Sequence, residues 1–214
     1  MDKEQVQKAL DELKKLPKRK FSQSYDLIIN LKNVNLKTTP LDFYVALPAP
    51  RGIKIKIAAL VDQELAEQAN KFCDITIREN DFAKYVADKK LAKKLAQEYD
   101  YFIAQANLMP KIAATFGRFL GTRGKMPNPK AGCVVPANAN LELLVKKLNQ
   151  TVHFAAKKAL NFQCLVGKEG QKDEDIINNV LAAFQATAKQ MPQDETQNIK
   201  NVCLKLTMSK PVRI

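Results

Sequence analysis

Histidine occurs once, at position 153, and the four cysteines, Cys73, Cys133, Cys164 and Cys203, are widely scattered with no C-x-x-C pair. Their spacing excludes the usual zinc knuckle, and the scarcity of imidazole removes the commonest general acid–base group. His153 lies in an alternating stretch, where a histidine is more often a packing or surface residue than a base. No serine or cysteine stands in a nucleophile motif. The glycine patterns of nucleotide enzymes fail too. Counting back from Gly124-Lys125 puts Phe119 where a phosphate loop needs glycine and Met126 where it needs a hydroxyl, and G-x-G-x-x-G is absent. Long apolar runs are missing, and the first residues, MDKEQVQKAL, are charged. The expectation is a cytoplasmic chain with no membrane span, no secretory signal and cysteines acting as small hydrophobes. No catalytic residue, metal or cofactor is expected.

Acidic residues are in the minority, 22 against 35 basic, which leaves a net charge of +13. Such an excess points to a polyanionic partner, because each neutralised phosphate releases counterions. With 46% apolar and 27% charged residues the chain is globular, and 214 residues suffice for one large domain or two small ones.

Apolar positions Val6, Ala9, Leu10, Leu13 and Leu16 make a helical stripe ended by Pro17. Lys18-Arg19-Lys20-Phe21 follows. A basic cluster is commonly a solvated helix end, but an aromatic beside it adds a surface that stacks on a base or sugar. Alternation over 25–32 and again over 41–47 predicts two half-buried strands, and LPAPRG then breaks the chain. Between 51 and 150 short apolar strands at 53–61, 75–77 and 101–104 alternate with helical stretches. Asp81, Asp88 and Asn140 are expected as caps and Pro110 in a first turn. That texture predicts a doubly wound parallel sheet. After Gln150, segments 151–156 and 162–166 are expected to form a hairpin around Lys157-Lys158. A helix follows from Asp173, then a strand over 199–208. The first fifty residues alone are too few to be stable. The predicted architecture is therefore a two-domain α+β protein: residues 1–50 and 151–214 form a split antiparallel α+β domain, and 51–150 an inserted Rossmann-like three-layer α/β domain.

Three segments of the split domain, Lys20-Phe21 to Asp26, Lys158 to Lys168, and Thr207 to Arg213, are candidates for one RNA-binding face. Hydroxyls at Thr207 and Ser209 suit ribose and phosphate, and Met208 suits a ribose or base edge. Taken alone, the last segment reads as the end of a core strand before Pro211.

Residues 119–134, FLGTRGKMPNPKAGCV, are unlike the rest: three glycines, two prolines and Arg123, Lys125 and Lys130, with no apolar periodicity. Neither helix nor ladder strand is expected there, but a stiff cationic loop. LGTRGK followed by MPNPKAG resembles the signature loop of the ribosomal protein L-one family, with Thr122 where proline is usual. The resemblance continues through KFSQSYDL and TMSKPVRI.

By resemblance the terminal segments would bind the RNA of the mobile lateral stalk of the large ribosomal subunit. The contacts would be Lys20, Phe21, Ser24 and Asp26 with Thr207, Met208 and Ser209, the last standing where the family has glycine. Lys158 and Lys168 join them from the same face. Arg19, Arg123, Lys125, Lys130 and Arg213 are further expected contacts. The implied partners are large-subunit ribosomal RNA, exit-site tRNA and the chain's own messenger RNA, for a protein that is monomeric when free and of archaeal type. From another class, a nucleotide-binding enzyme built on the α/β domain is the alternative.

Overall fold

The computed structural model describes residues 1–36, 41–156, 159–191 and 195–214. Helix α1 (Lys3–Lys14) buries Val6, Ala9, Leu10 and Leu13, one face at three- and four-residue spacing. Strands β1 (Ser24–Leu31) and β2 (Leu41–Ala46) follow. The middle of the chain supplies β3 (Ile57–Val61), α2 (Gln63–Phe72), β4 (Ile75–Arg78), α3 (Phe82–Ala87) and α4 (Lys89–Glu98). It continues with β5 (Tyr101–Gln105), α5 (Met109–Gly121), β6 (Val134–Val135) and α6 (Leu141–Gln150). Then come β7 (Thr151–Ala156), β8 (Asn161–Lys168), α7 (Asp173–Lys189), α8 (Glu195–Asn198), β9 (Ile199–Leu206) and β10 (Val212–Arg213). Contacts group the chain into two compact units, Met1–Ile53 with Gln150–Ile214, and Lys54–Asn149.

In the first unit β1 is a central strand, antiparallel to β8 on one side and to β9 on the other, with β10 beyond β9. Its alternation sends Tyr25, Leu27, Ile29 and Leu31 inward to a core shared with α1 and with Ile176, Val180 and Phe184 of α7. Ser24, Asp26, Ile28 and Asn30 therefore face the other way, level with Lys205, Cys203 and Asn201 of β9. Below the sheet, Phe43, Phe154 and Phe162 meet with ring centroids 5.3 to 5.6 Å apart, stacked or edge-on. Such pairs stabilise a core beyond the area they bury.

The expected hairpin of 151–156 with 162–166 does not form. β7 instead pairs with β2 in a separate two-stranded sheet, while β8 pairs with β1. The β2–β7 ladder sets Phe43 opposite Phe154 and stacks the rings at 5.3 Å, while Phe154 still meets Phe162 of β8 edge-on at 5.5 Å, so pairing with β2 adds one ring contact without losing the other. The expected turn at Lys157-Lys158 lies outside the described residues.

The second unit holds a parallel sheet in the order β4-β3-β5-β6. All five residues of β3 are buried, as in a strand covered on both faces. Asp62 caps α2 and Asp88 caps α4, accepting from the backbone N–H of Gln63 and Lys90, and Asn140 does the same for α6 through Glu142. Asp81 makes no such cap bond; it sits in a short 3₁₀ turn ahead of α3, and its carboxylate takes Lys84 instead.

Residues 119–134 also differ from expectation. Phe119, Leu120 and Gly121 complete α5, because Ile112, Phe116 and Leu120 continue one buried stripe at four-residue spacing. Residues Pro129–Ala131 make a 3₁₀ turn capped by Asn128, and Val134 joins the ladder as β6 beside Ala104. Only the stretch between is loop.

Candidate nucleic-acid interface

Ser24 is the first residue of β1, and the two-sided pairing of that strand brings the predicted segments together there. Its Cα partner in β8 is Lys168. On the β9 side, the Ser24 backbone N–H donates to Thr207 Oγ1 at 3.0 Å, and the Thr207 N–H donates back to the Ser24 carbonyl at 3.1 Å. Residues 183 positions apart in sequence thus end in direct contact. Thr207 and Met208 are exposed, Met208 by 62%, and so are Lys20 and Phe21, the latter by 50%. Exposed thioether and phenyl groups on a cationic rim are able to pack on bases and sugars.

The segment carrying Arg19, Lys20 and Phe21 separates two concavities. One, of about 730 Å³, is lined by Lys18, Lys20, Phe21, Tyr25 and Glu169 among others. The other, of about 390 Å³, lies toward Gln23, Met208 and Pro211. Arg19 lines both.

Asp26 lies opposite Lys205 on β9 and Leu165 on β8. Burial raises its carboxyl pKa, and Lys205 pulls it back down. Arg213, on β10 opposite Cys203, shares this outward face and is exposed. Lys158 lies outside the described residues. Arg123 and Lys130 are exposed in the second unit. Lys125 is not a free cation: its ammonium donates to the Tyr99 carbonyl at 2.6 Å and lies 3.9 Å from Asp100. Burial lowers its pKa, against Asp100 and with Arg123.

The model of the Ribosomal protein L1p/L10e family matches residues 13–210. The chain belongs to that family. It is 44% identical over 213 residues to large ribosomal subunit protein uL1 of Nanoarchaeum equitans, covering 96% of this chain and 99% of that one. It is 41% identical over 217 residues to the uL1 of Methanothermococcus thermolithotrophicus, and 37% identical over 217 to that of Methanocaldococcus jannaschii. In each of these two cases all of this chain is covered, with 99% and 96% of the relative. The L1 family is one of structural, non-enzymatic ribosomal proteins.

For an L1-family chain, two residues at this face escaped the sequence reading. Gln23 is 3% exposed. Its side-chain oxygen accepts the Met208 N–H at 3.0 Å, and its own backbone N–H donates to Glu169 Oε2 at 2.6 Å. The Glu169 N–H returns a bond to the Gln23 carbonyl at 2.9 Å. Gln23 and Glu169 therefore fix the turn after β8 and the turn after β9 to the start of β1. Neither has a sequence signal, since a glutamine one residue before a strand looks like ordinary surface.

Ser209 has an inward task as well. Its hydroxyl oxygen accepts the Leu206 N–H at 2.9 Å and donates to the Lys210 carbonyl at 3.0 Å. The backbone there is not left-handed, so the position does not demand the family's glycine.

The nucleotide alternative finds little support at the carboxyl ends of β3 and β5, the place where such sheets take ligands. The first turn, Val61-Asp62-Gln63, has no glycine, and the buried Gln105 side chain accepts the Asp62 N–H at 2.9 Å. Glu64 stands beside it, 3.4 Å from the Gln105 amide, so carboxylates face the position a phosphate would need. His153 is packed in the β2–β7 ladder, 2.6 Å from Asp42 and stacked on Tyr44.

Proposed function

We propose that this protein is a structural constituent of the large ribosomal subunit that binds the ribosomal RNA of the lateral stalk, assists release of deacylated tRNA from the exit site, and represses translation of its own messenger. Residues 1–50 and 151–214 form the RNA-binding domain of this reading, and 51–150 the inserted one. The supporting observation is the bracketing of Ser24 by Lys168 and Thr207, with Phe21 and Met208 exposed beside them. Hydroxyls and lysines there hold phosphate and 2′-OH groups, and the exposed ring and thioether pack on sugar and base. Membership in the L1 family and the net charge of +13 point the same way.

The test is a filter-binding titration of stalk RNA over a salt series. Tight, steeply salt-dependent binding is expected, with Phe21→Ala and Thr207→Ala each weakening it about tenfold, about 1.4 kcal/mol, at unchanged salt slope. Affinity equal to that for arbitrary duplex RNA overturns the reading. Toeprinting on the chain's own messenger and tRNA retention on ribosomes lacking the protein test the two finer roles.

A further inference from the structure

The second unit carries its own positive excess. Between Lys54 and Asn149 sixteen basic and ten acidic residues leave it at +6. Its ion pairs show where that charge is neutralised: Lys54 with Asp74, Lys56 with Glu98, Lys84 with Asp81, Lys111 with Glu79, Lys125 with Asp100 and Lys146 with Glu142. Helix α4 is different. Its sequence KKLAKKLAQE puts Lys89, Lys90, Lys93 and Lys94 in two turns, all exposed, and among the described residues none of the four amines has a carboxylate partner. The nearest acids along the chain are already engaged, Asp88 by the Lys90 backbone N–H and Glu98 by Lys56.

Helix geometry gathers these lysines. Ala92, Leu95 and Ala96 are the buried residues of α4, and at 3.6 residues per turn the lysines fall within an arc of about 140° that lies outside that buried stripe. Lys89 with Lys93 and Lys90 with Lys94 are like charges four apart, which repel. Two of the four also stand in the first turn, where the helix dipole disfavours cations, and no acid replaces them there. The arrangement works against the isolated helix at every pair. An anion spanning two turns reverses the sign of all these terms at once.

We propose that the exposed face of α4 is a second RNA-binding surface, one that holds the phosphodiester backbone of duplex RNA without reading its sequence. Lysines are point charges suited to phosphate contacts that position rather than specify, and this face offers no exposed aromatic for stacking. The partner follows from the polyanion reading above and extends it to a separate unit of the chain.

The experiment uses the full chain and a 20-base-pair RNA duplex of arbitrary sequence as probe, titrated over a salt series. The quadruple variant K89Q/K90Q/K93Q/K94Q is compared with the charge-matched K54Q/K71Q/K111Q/K146Q, which removes four exposed lysines elsewhere on the same unit. The α4 variant is expected to flatten the slope of log K against log salt by about two or more, because each lost phosphate contact takes about 0.7 to 0.9 from it. The matched variant is expected to flatten it by less than half as much, and the four-arginine variant of α4 to keep the wild-type slope. Equal flattening by the two glutamine variants, or a change below about 0.7 for α4, overturns the proposal. So does loss of binding to phosphatidylserine vesicles with duplex binding intact, which assigns the face to lipid headgroups. Discrimination between stalk RNA and duplex by the same α4 variant is read separately. Its presence keeps the first site's reading whatever the slopes show, and its absence already in the wild type removes that reading alone.

Discussion

The side-chain oxygen of Gln23 accepts the backbone N–H of Met208 at 3.0 Å, so an almost wholly buried amide holds one of the most exposed apolar side chains of the protein in place. The same residue is tied to Glu169 through its backbone N–H. Three separate stretches of chain therefore meet at one glutamine, and the exposed residues above it inherit their positions from it. Gln23→Met preserves bulk but removes the acceptor, leaving the Met208 N–H without its partner. The expected cost is about 1 kcal/mol of folding stability, a few degrees in Tm by thermal denaturation. A purely structural role would stop there. A positioning role adds faster hydrogen exchange at the Met208 amide and a fall in RNA affinity that is non-additive with Thr207→Ala, since the two changes loosen one turn.

Ser209→Gly restores the family residue and is expected to lower stability rather than raise it. The serine hydroxyl accepts the Leu206 N–H, and the backbone there has no left-handed strain for glycine to relieve. Loss of that bond, together with glycine's greater freedom in the unfolded chain, should cost about 1 to 2 kcal/mol by urea denaturation. RNA affinity is expected to stay within about twofold, because the hydroxyl faces the chain's own backbone. A gain in affinity of tenfold or more would show that the serine side chain obstructs the RNA.

Asp26 sets a pH dependence of definite sign. Burial raises its pKa in the folded protein, with Lys205 opposing. A carboxyl raised on folding is a cost in its charged form: the cost is in full above the folded pKa and disappears as pH falls below the unfolded value near 3.9. Asp26→Asn is therefore expected to raise Tm at neutral pH, with the advantage shrinking on acidification through the carboxylate range. An advantage that grows on acidification would mean that the Lys205 attraction outweighs burial.

How far these features could be read beforehand depends on whether the determinant is local. The alternation of residues 25–31 is a property of seven consecutive side chains, and β1 has the predicted inward face of Tyr25, Leu27, Ile29 and Leu31. Caps such as Asp88 and Asn140 are likewise local. Strand partners are not. β7 pairs with β2, where Phe154 stacks on Phe43, more than a hundred residues away, and no periodicity encodes that choice. The glycine and proline content of 119–134 concealed the last turn of α5, since Leu120 declares itself only through its spacing from Ile112 and Phe116. At the proposed RNA face Phe21 was marked by its ring beside a basic cluster, whereas Thr207 was marked by the family resemblance, its segment alone reading as the end of a core strand. Gln23 was marked by neither, because what makes it important is its burial between two turns that are distant in sequence.

Gly52 links the end of the first terminal segment to Lys168, and substitution there should disturb the face from beneath. Its φ is +78°, a conformation that side chains disfavour, and a Cβ built on it would lie 2.8 Å from the Cβ of Lys168. Gln171 has no slack to give: its oxygen accepts the Lys168 N–H at 2.7 Å and its amide donates to the Pro50 carbonyl at 2.8 Å. Gly52→Ala therefore carries two penalties, the left-handed backbone and the clash, together about 2 to 4 kcal/mol. Relief requires β8 to shift at Lys168, the residue paired with Ser24. Chemical denaturation is expected to show the stability loss, and the RNA titration a drop in affinity larger than that of Gly170→Ala. Gly170 also has positive φ, but an added Cβ there meets nothing within 4 Å. Equal effects of the two substitutions on RNA binding would mean that backbone strain alone is felt, and that the contact between Gly52 and Lys168 plays no part in shaping the surface.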